Sequence, residues 1–273
     1  MNILELEEIK KTAIKAVQKG GEILKRGLEE DIRIDYKGAI NLVTDIDRRS
    51  EEAIIGIIKK SFPEHDILAE EGGEKRGSLS DYKWIIDPLD GTTNYAHRFP
   101  CFCISIGVEV NGEILIGLVY DPARDELFLA EKGKGAYLNG RPIHVSSIDS
   151  LIASLLVTGF SYDIRDSSKN NFEHFCNMSL HAQGVRRTGS AAIDLCYVAM
   201  GRLDGFWELK LSPWDVAAGY LIVTESGGKV TDFFSNSFSV YSKEILATNG
   251  RIHDGMLKIL QKENGCQVAI SDP

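Results

Sequence analysis

The run from Trp84 to Asn94 constrains the fold of this chain more than any other stretch, and it reads Trp-Ile-Ile-Asp-Pro-Leu-Asp-Gly-Thr-Thr-Asn. Its apolar start predicts a buried strand that carries two carboxylates, Asp87 and Asp90, to one edge of a sheet. Pro88 has no N–H group to donate, so we expect it to end the strand ladder. Gly91 then frees the backbone to turn. The run therefore predicts a strand, a sharp turn and two acids at one sheet edge.

Two acids and a turn suit phosphate chemistry. Hard divalent cations prefer oxygen ligands, which the carboxylates supply. The backbone N–H groups that follow could hold a phosphate. A metal site and a phosphate site would then lie side by side.

Three further acidic segments could join this site. Glu70 and Glu71 end a short apolar run, while Asp47 and Asp215 each stand at a predicted helix start. Each segment also has a simpler interpretation, because Asp is among the best N-cap residues and a strand end can simply be solvated. Both interpretations stay open, since the sequence cannot show that distant segments meet.

Convergence of these acids would require cations. Two like charges about 4 Å apart repel by ~4 kcal/mol at an effective dielectric near 20. Divalent cations would relieve the repulsion, and an oxygen-only ligand set favours Mg²⁺ over zinc. Two such ions can clamp the attacking and leaving oxygens of an in-line displacement, which is hydrolysis of a phosphate ester. The acids that would gather are Glu70, Asp87, Asp90 and Asp215.

Composition narrows the function classes. The chain has 273 residues with 43% hydrophobic and 26% charged residues, which is typical of a globular protein with a sizeable core. The net charge of -9 argues against a general nucleic-acid binder. We expect no membrane span and no secretory signal, and hence a cytoplasmic protein with reduced thiols. Within Cys101-Phe102-Cys103, we expect the two thiols on opposite faces of a strand.

Hydrophobic periodicity predicts a mixed α/β chain. Helices are expected over residues 3–30 and 47–61. Residues 103–145 alternate and contain the hairpin signals Asn111-Gly112 and Asn139-Gly140, which predict an antiparallel meander. Beyond it, strands and helices alternate. Further strands are predicted at 66–70, 83–87, 155–158, 205–208 and 243–248, and further helices at 190–200, 214–225 and 254–262.

We expect one continuous globular unit made of two halves. An N-terminal α+β half, residues 1–149, would carry most of the metal ligands. A C-terminal α/β half, residues 150–273, would carry Asp215 and the substrate contacts.

Several motifs occur in a characteristic order. They are Asn41-Leu42-Val43-Thr44-Asp45-Ile46-Asp47, Ala69-Glu70-Glu71, the run 84–94, Trp214-Asp215-Val216-Ala217-Ala218-Gly219 and Glu225-Ser226-Gly227-Gly228. With them, the chain resembles the inositol monophosphatase family of magnesium-dependent, lithium-sensitive phosphatases over about residues 5–262. The resemblance implies a layered αβαβα sandwich of the sugar-phosphatase type, with an antiparallel N-terminal sheet and a smaller C-terminal α/β part. It also implies a homodimer.

The resemblance carries residue roles with it. Two Mg²⁺ ions are implied, with Asp87 bridging them and a third, weaker ion near Glu70. The implied metal ligands are Glu70, Asp87, the Leu89 carbonyl, Asp90 and Asp215. The implied catalytic residues are Asp47, Thr92 and Glu70, of which Thr92 and Asp47 orient the attacking water. The implied substrate and phosphate contacts are Asp90, Gly91, Thr92, Gly189, Ser190, Ala191 and Glu208.

The implied activity is hydrolysis of inositol-1-phosphate by direct attack of water. The implied partner is a small phosphorylated polyol substrate, and we expect neither a nucleic-acid nor a membrane partner. A broader sugar phosphatase that includes fructose 1,6-bisphosphate, or a nucleotide 3′-phosphatase, is the alternative within enzymes. A regulatory binding protein that keeps the fold is the alternative outside them. Four basic residues near the expected substrate side could hold a second phosphate, because arginine binds phosphate as a fork. They could instead simply form a solvated face, and we favour this second interpretation. The four residues are Arg165, Lys169, Arg186 and Arg187.

Overall fold

The computed structural model describes residues 3–30, 34–36, 42–75, 77 and 80–262. The helices of these residues are α1 (Ile3–Gly27), α2 (Asp45–Ser61), α3 (Thr92–Ala96), α4 (Phe172–Ser179), α5 (Ala191–Ala199), α6 (Pro213–Glu225) and α7 (His253–Leu260). The strands are β1 (Ile34–Tyr36), β2 (Leu42–Thr44), β3 (Asp66–Ala69), β4 (Gly73–Lys75), β5 (Tyr82–Asp90), β6 (Cys103–Val110), β7 (Glu113–Asp121), β8 (Glu126–Glu131), β9 (Ala136–Leu138), β10 (Arg141–Pro142), β11 (Leu155–Thr158), β12 (Gly184–Arg186), β13 (Gly205–Leu209), β14 (Lys229–Thr231) and β15 (Glu244–Thr248). Asn41 and Cys266 lie outside the described residues.

The larger sheet has the strand order β10-β9-β8-β7-β6-β5-β3-β4. Strands β5 to β10 are antiparallel neighbours, which confirms the predicted meander. Asn111 and Gly112 have φ of 51° and 82°, and this pair of positive angles is the geometry that an Asn-Gly hairpin requires. Among the strands described for this sheet, β3 runs parallel to β5, and the two strands therefore end at the same edge of the sheet.

The smaller sheet has the order β12-β11-β13-β15-β14 and is mixed. Strand β11 pairs in parallel with β12 and β13, whereas β15 is antiparallel to β13 and β14. Strands β1 and β2 form a separate two-stranded ribbon.

Three cores stack the helices and sheets into layers. The first lies between helices α1 and α2 and the larger sheet. The second surrounds α5 and α6 and takes apolar residues from both sheets. The third lies between the smaller sheet and helices α4 and α7. The order is α, β, α, β, α, as predicted, and the middle core contains residues from both sides of position 150.

Two glycines let the middle helix approach the larger sheet. Gly107 of β6 and Gly117 of β7 are register partners. A Cβ at Gly107 would lie 2.7 Å from the Cβ of Ala217, and one at Gly117 would lie 2.7 Å from the carbonyl oxygen of Ala218. Such contacts are far inside van der Waals distance, so α6 could not pack here against larger residues.

The prediction that Pro88 ends the strand ladder is wrong. Strand β5 continues to Asp90, which pairs with Cys103. The register shifts between Asp87 and Asp90, so that Pro88 and Leu89 sit in an irregular part of the ladder. A bulge of this kind accommodates a residue that has no N–H to donate.

The prediction for the Cys101–Cys103 pair is also wrong. Both thiols lie in the middle core, whereas Phe102 between them lies in the core beneath α1 and α2. The physical reason is simple, since residues i and i+2 of an extended segment share a face. Within the described residues, Cys101, Cys103, Cys176 and Cys196 are free thiols.

The described helices include none that combines the length and the apolar character needed to cross a bilayer.

Candidate active site

A pocket of about 460 Å³ opens where β5 ends and where α5 and α6 begin. Nearly every residue that the sequence assigned to a site lines this pocket. They are Glu70, Asp87, Leu89, Asp90, Gly91, Thr92, Gly189, Ser190, Ala191, Glu208 and Asp215. Asp47 lies behind the wall, where its carboxylate accepts a hydrogen bond from the Thr92 hydroxyl at 3.0 Å. The fold thus brings together acids from segments far apart in the chain.

The end of β5 places the first acids. Asp87 is 1% exposed, and its Oδ1 accepts the Leu89 N–H at 3.0 Å, which fixes the carboxylate against its own backbone. Gly91 has φ of 91° and turns the chain into α3. A Cβ at Gly91 would lie 2.9 Å from the Cys101 carbonyl oxygen, so both the backbone angle and the space favour glycine here.

Asp47 and Thr92 form a buried pair. Asp47 is not an N-cap, because α2 begins at Asp45 with Thr44 as its cap. Asp47 instead closes the capping box, and its Oδ2 accepts the Thr44 N–H at 2.8 Å. Its Oδ1 receives the Thr92 hydroxyl, which also lies 3.1 Å from the Leu89 carbonyl oxygen. Burial raises the pKa of Asp47, and the bonds from Thr44 and Thr92 oppose that rise.

Asp90 is held by the other half of the chain. Its Oδ2 accepts the Ser190 hydroxyl at 2.7 Å and the Ala192 N–H at 2.8 Å. The Cys103 thiol approaches the same oxygen at 3.8 Å. A carboxylate from the larger sheet is therefore seated at the N-terminus of α5.

Asp215 reaches the pocket from the first turn of α6. Its Oδ2 accepts the Ser212 N–H at 2.7 Å, and Pro213 occupies the first turn without losing a helical hydrogen bond. Asp215 is therefore not the N-cap either: like Asp47, it closes the capping box from the third helical position, here with Ser212 as the cap, while it lines the pocket.

The acids of the pocket repel one another. Burial raises the pKa of Asp87 well above its usual range, and the charges of Glu70, Asp90 and Asp215 raise it further. Burial likewise raises the pKa of Asp215, with Asp90 as the first charged contributor. Burial also raises the pKa of Asp90, although the Ser190 and Ala192 donors oppose the rise. The pocket therefore gathers carboxyl groups whose charged form is disfavoured without a cation and would be stabilised by one.

No group of three or more His, Cys, Asp and Glu side chains in the described ranges already has the arrangement of a metal site. The acids line the same pocket, but their side chains are not yet arranged around one common metal position. Mg²⁺ keeps several waters and uses few carboxylates, so a loose, all-oxygen donor set fits this ion better than it fits zinc.

The opposite wall of the pocket carries Glu208 from β13. Burial raises the pKa of this carboxyl well above its usual range, and Asp194 adds to the rise. A Cβ at Gly159 would lie 2.3 Å from the Glu208 oxygens, so a larger residue at position 159 would clash with this carboxylate. Of the basic residues considered from sequence, Arg187 lines the pocket. The other three, Arg165, Lys169 and Arg186, are exposed and do not line the pocket.

Sequence reasoning missed three pocket residues. Asn94 joins the two sides, because its amide donates to the Cys101 and Thr188 carbonyl oxygens at 2.7 and 2.8 Å. Asp194 is 2% exposed and accepts the Thr188 hydroxyl. Tyr162 lies on the loop after β11 and is half exposed as a whole residue, but desolvation beside the pocket and the charges of the site acids raise its pKa to about 12. Asn94 closes the quoted motif and could have been assigned, whereas nothing local marks the other two.

The layered fold and this acid-lined pocket agree with the comparisons, which make the chain a phosphoric monoester hydrolase. The chain belongs to the inositol monophosphatase family, whose model matches residues 5–264. Inositol-1-monophosphatase of Synechocystis is 50% identical over 229 residues, which cover 84% of this chain and 80% of that protein. Nus factor SuhB of Escherichia coli is 41% identical over 253 residues, covering 92% and 95%.

Solved structures agree. Inositol monophosphatase from Anabaena (Nostoc) is 46% identical, covers 94% of this chain and 96% of its own, and superposes with a TM-score of 0.86. The expected family and the expected layered fold are therefore confirmed.

Proposed function

We propose that this protein hydrolyses inositol-1-phosphate, or a closely similar polyol monophosphate, with Mg²⁺ and by direct attack of water. The observation that carries the proposal is the meeting of four acids with the Asp47–Thr92 pair at one pocket. The residues come from four segments of the chain, around Asp47, Glu70, residues 87–92 and Asp215.

The donor set supports Mg²⁺. One ion would be held by Glu70, Asp87 and the Leu89 carbonyl and a second by Asp87, Asp90 and Asp215, and a third would lie near Glu70. Bound Mg²⁺ would neutralise charge on the phosphoryl oxygens and lower the pKa of a nearby water. A solved relative of 23% identity, described as an IMPase/NADP phosphatase, was crystallised with Mg²⁺ and phosphate.

The Asp47–Thr92 pair supplies the proton path. The Thr92 hydroxyl hydrogen points to Asp47 or Leu89, so its oxygen lone pair is available to accept a hydrogen bond from water. Asp47 can take up a proton through Thr92, since burial has raised the pKa of its carboxyl. Water is thereby oriented for attack without a covalent intermediate. The proposed phosphate contacts are the N–H groups of Gly91 and Thr92.

The substrate wall supports a polyol. Glu208 and Asp194 are buried acids that can accept hydrogen bonds from sugar or inositol hydroxyls. Gly189 and Ala191 line the same wall and give it room for a ring. The homodimer, the cytoplasmic location and the division into residues 1–149 and 150–273 stay predictions.

Phosphate release from inositol-1-phosphate, measured with and without Mg²⁺, tests the proposal. We expect turnover that needs Mg²⁺ and that lithium inhibits. Release that is unchanged by removal of Mg²⁺ with a chelator would contradict the role of the acids.

A second candidate is a broader phosphatase. Arg187 lines both the main pocket and an adjoining annex of about 320 Å³, where a second anionic group could bind. A relative, Staphylococcus aureus IMPase-II, was solved with inositol monophosphate and with 2′-AMP. Side-by-side turnover of inositol-1-phosphate, fructose 1,6-bisphosphate and 2′-AMP separates the candidates, and equal rates would refute a narrow substrate.

A regulatory role is the third candidate, because relatives of 41% identity carry the name Nus factor SuhB. The acids of the pocket support the enzyme, since a purely regulatory protein would not need them together. Purified protein that releases no phosphate from any polyol phosphate with Mg²⁺ would favour regulation.

A further inference from the structure

We propose that Ser190 is a positioning residue for Asp90, which it holds from the N-terminus of α5, rather than a contact to substrate. This inference rests on the proposed function in one respect, namely that Asp90 binds a cation.

The Ser190 hydroxyl commits its single hydrogen and one of its two lone pairs, and the Cys103 thiol lies 3.6 Å from its oxygen. The hydroxyl donates to Asp90 Oδ2 at 2.7 Å and accepts the Ile193 N–H at 3.4 Å as the N-cap of α5. A hydroxyl has a single hydrogen to donate, so a donor bond from Ser190 to substrate would require the bond to Asp90 to break. Ser190 is also 2% exposed, which leaves little of it open to a ligand.

Asp90 completes the helix end in return. The first N–H groups of a helix have no partner within it. Here the Ala192 N–H donates a hydrogen bond to Asp90 Oδ2 at 2.8 Å. A negative charge at a helix N-terminus is stabilised by the helix dipole, and α5 has nine residues. The carboxylate therefore joins β5 of the larger sheet to a helix of the middle layer.

These bonds matter for cation binding because they fix the orientation of the Asp90 carboxylate. The terminal torsion of an aspartate is broad, so a carboxylate with few contacts can turn about it. Two short hydrogen bonds and the Cys103 thiol at 3.8 Å converge on a single oxygen and fix that torsion. The carboxylate is then held in one orientation where it lines the pocket. Loss of the Ser190 donor should loosen that orientation and weaken cation binding.

Three substitutions in the full-length chain test the inference. Ser190→Gly removes the donor while glycine remains an acceptable N-cap, and Ser190→Thr keeps both the hydroxyl and the cap. Ser154→Gly is the matched control, because Ser154 is a buried serine whose hydroxyl donates to the Leu151 carbonyl oxygen away from the pocket.

The first readout is the rise in Tm on titration with Mg²⁺ alone, which reports cation binding without turnover. We expect Ser190→Gly to need about ten times more Mg²⁺ for half of the rise, and Ser190→Thr to stay within about threefold of the parent protein. Ser154→Gly should lower the Tm of the metal-free protein and leave the Mg²⁺ dependence unchanged.

The second readout is steady-state kinetics on inositol-1-phosphate at saturating Mg²⁺, where we expect Ser190→Gly to change KM less than about threefold. A tenfold rise in KM with an unchanged Mg²⁺ titration would make Ser190 a substrate contact and overturn the inference. A lower Tm without any change in Mg²⁺ dependence would reduce Ser190 to a helix cap. A parent protein that shows neither a Mg²⁺-dependent Tm nor phosphate release would refute the proposed function, and the inference with it.

Discussion

The two walls of the pocket are built differently. On the wall formed by β5 and the start of α2, Asp87 and Asp47 are buried, and each accepts hydrogen bonds from nearby backbone or hydroxyl groups. A second wall belongs to the loop between β11 and α4, where Tyr162 is 52% exposed and Asp163 is exposed as well. We name these the acid wall and the loop wall. The first is suited to chemistry that tolerates no displacement, and the second to recognition.

A few side chains anchor the loop wall. Lys210 donates to Asp163 and to the Ser167 hydroxyl at 2.6 and 2.7 Å. At the far end, Asn171 donates to the Thr158 hydroxyl at 2.9 Å and accepts the indole N–H of Trp207, also at 2.9 Å. Substitutions on the acid wall should therefore affect turnover most, and those on the loop wall should affect substrate affinity.

Asp90→Asn should produce the largest effect. The amide keeps the size of the side chain but loses the charge that a cation needs, so we expect kcat/KM to fall by about 10³-fold, or about 4 kcal/mol. Phosphate release measures this loss, and circular dichroism should show a retained fold. Activity within a few fold of the parent protein would remove Asp90 from the acid wall's chemistry.

Thr92→Ala should come next. Removal of the hydroxyl breaks the path from water to Asp47, and general acid–base assistance of this kind is worth about 10²-fold or more in kcat. KM should change little, and Thr92→Ser should restore most of the turnover. If Thr92→Ala instead raised KM and spared kcat, the hydroxyl would serve binding, and the contrast between the walls would weaken.

The acid wall could be predicted largely from sequence, whereas the loop wall could not. Asp87, Asp90 and Thr92 stand in one contiguous motif, where a strand end and a glycine turn fix their relative positions. Pro88 shows the limit of local rules, because its effect on the ladder depended on a bulge with β6. Tyr162 has no local signal at all, since it reaches the pocket only because the loop after β11 of the smaller sheet meets the end of β5 there.

Asn171→Ala tests the anchor of the loop wall. The change leaves the buried indole N–H of Trp207 without its acceptor, which costs about 1–3 kcal/mol of unfolding free energy. We expect a lower Tm, and a KM for inositol-1-phosphate raised by about tenfold with kcat changed much less. A fall in kcat as large as that of Thr92→Ala would show that the loop wall takes part in the chemistry.

Tyr162→Phe should have the smallest effect. The ring stays in place while the hydroxyl is lost, and a single hydrogen bond to an uncharged group contributes about 0.5–1.5 kcal/mol. KM should therefore rise by about three- to fivefold at constant kcat, and Tyr162→Ala should raise it further because the ring itself lines the pocket and its annex. Initial rates over a range of inositol-1-phosphate concentrations separate the two constants. If Tyr162→Phe lowered kcat rather than raising KM, the hydroxyl would act on the reacting phosphate. The loop wall would then contribute to the chemistry as well as to substrate recognition, and the contrast with the acid wall would no longer hold for Tyr162.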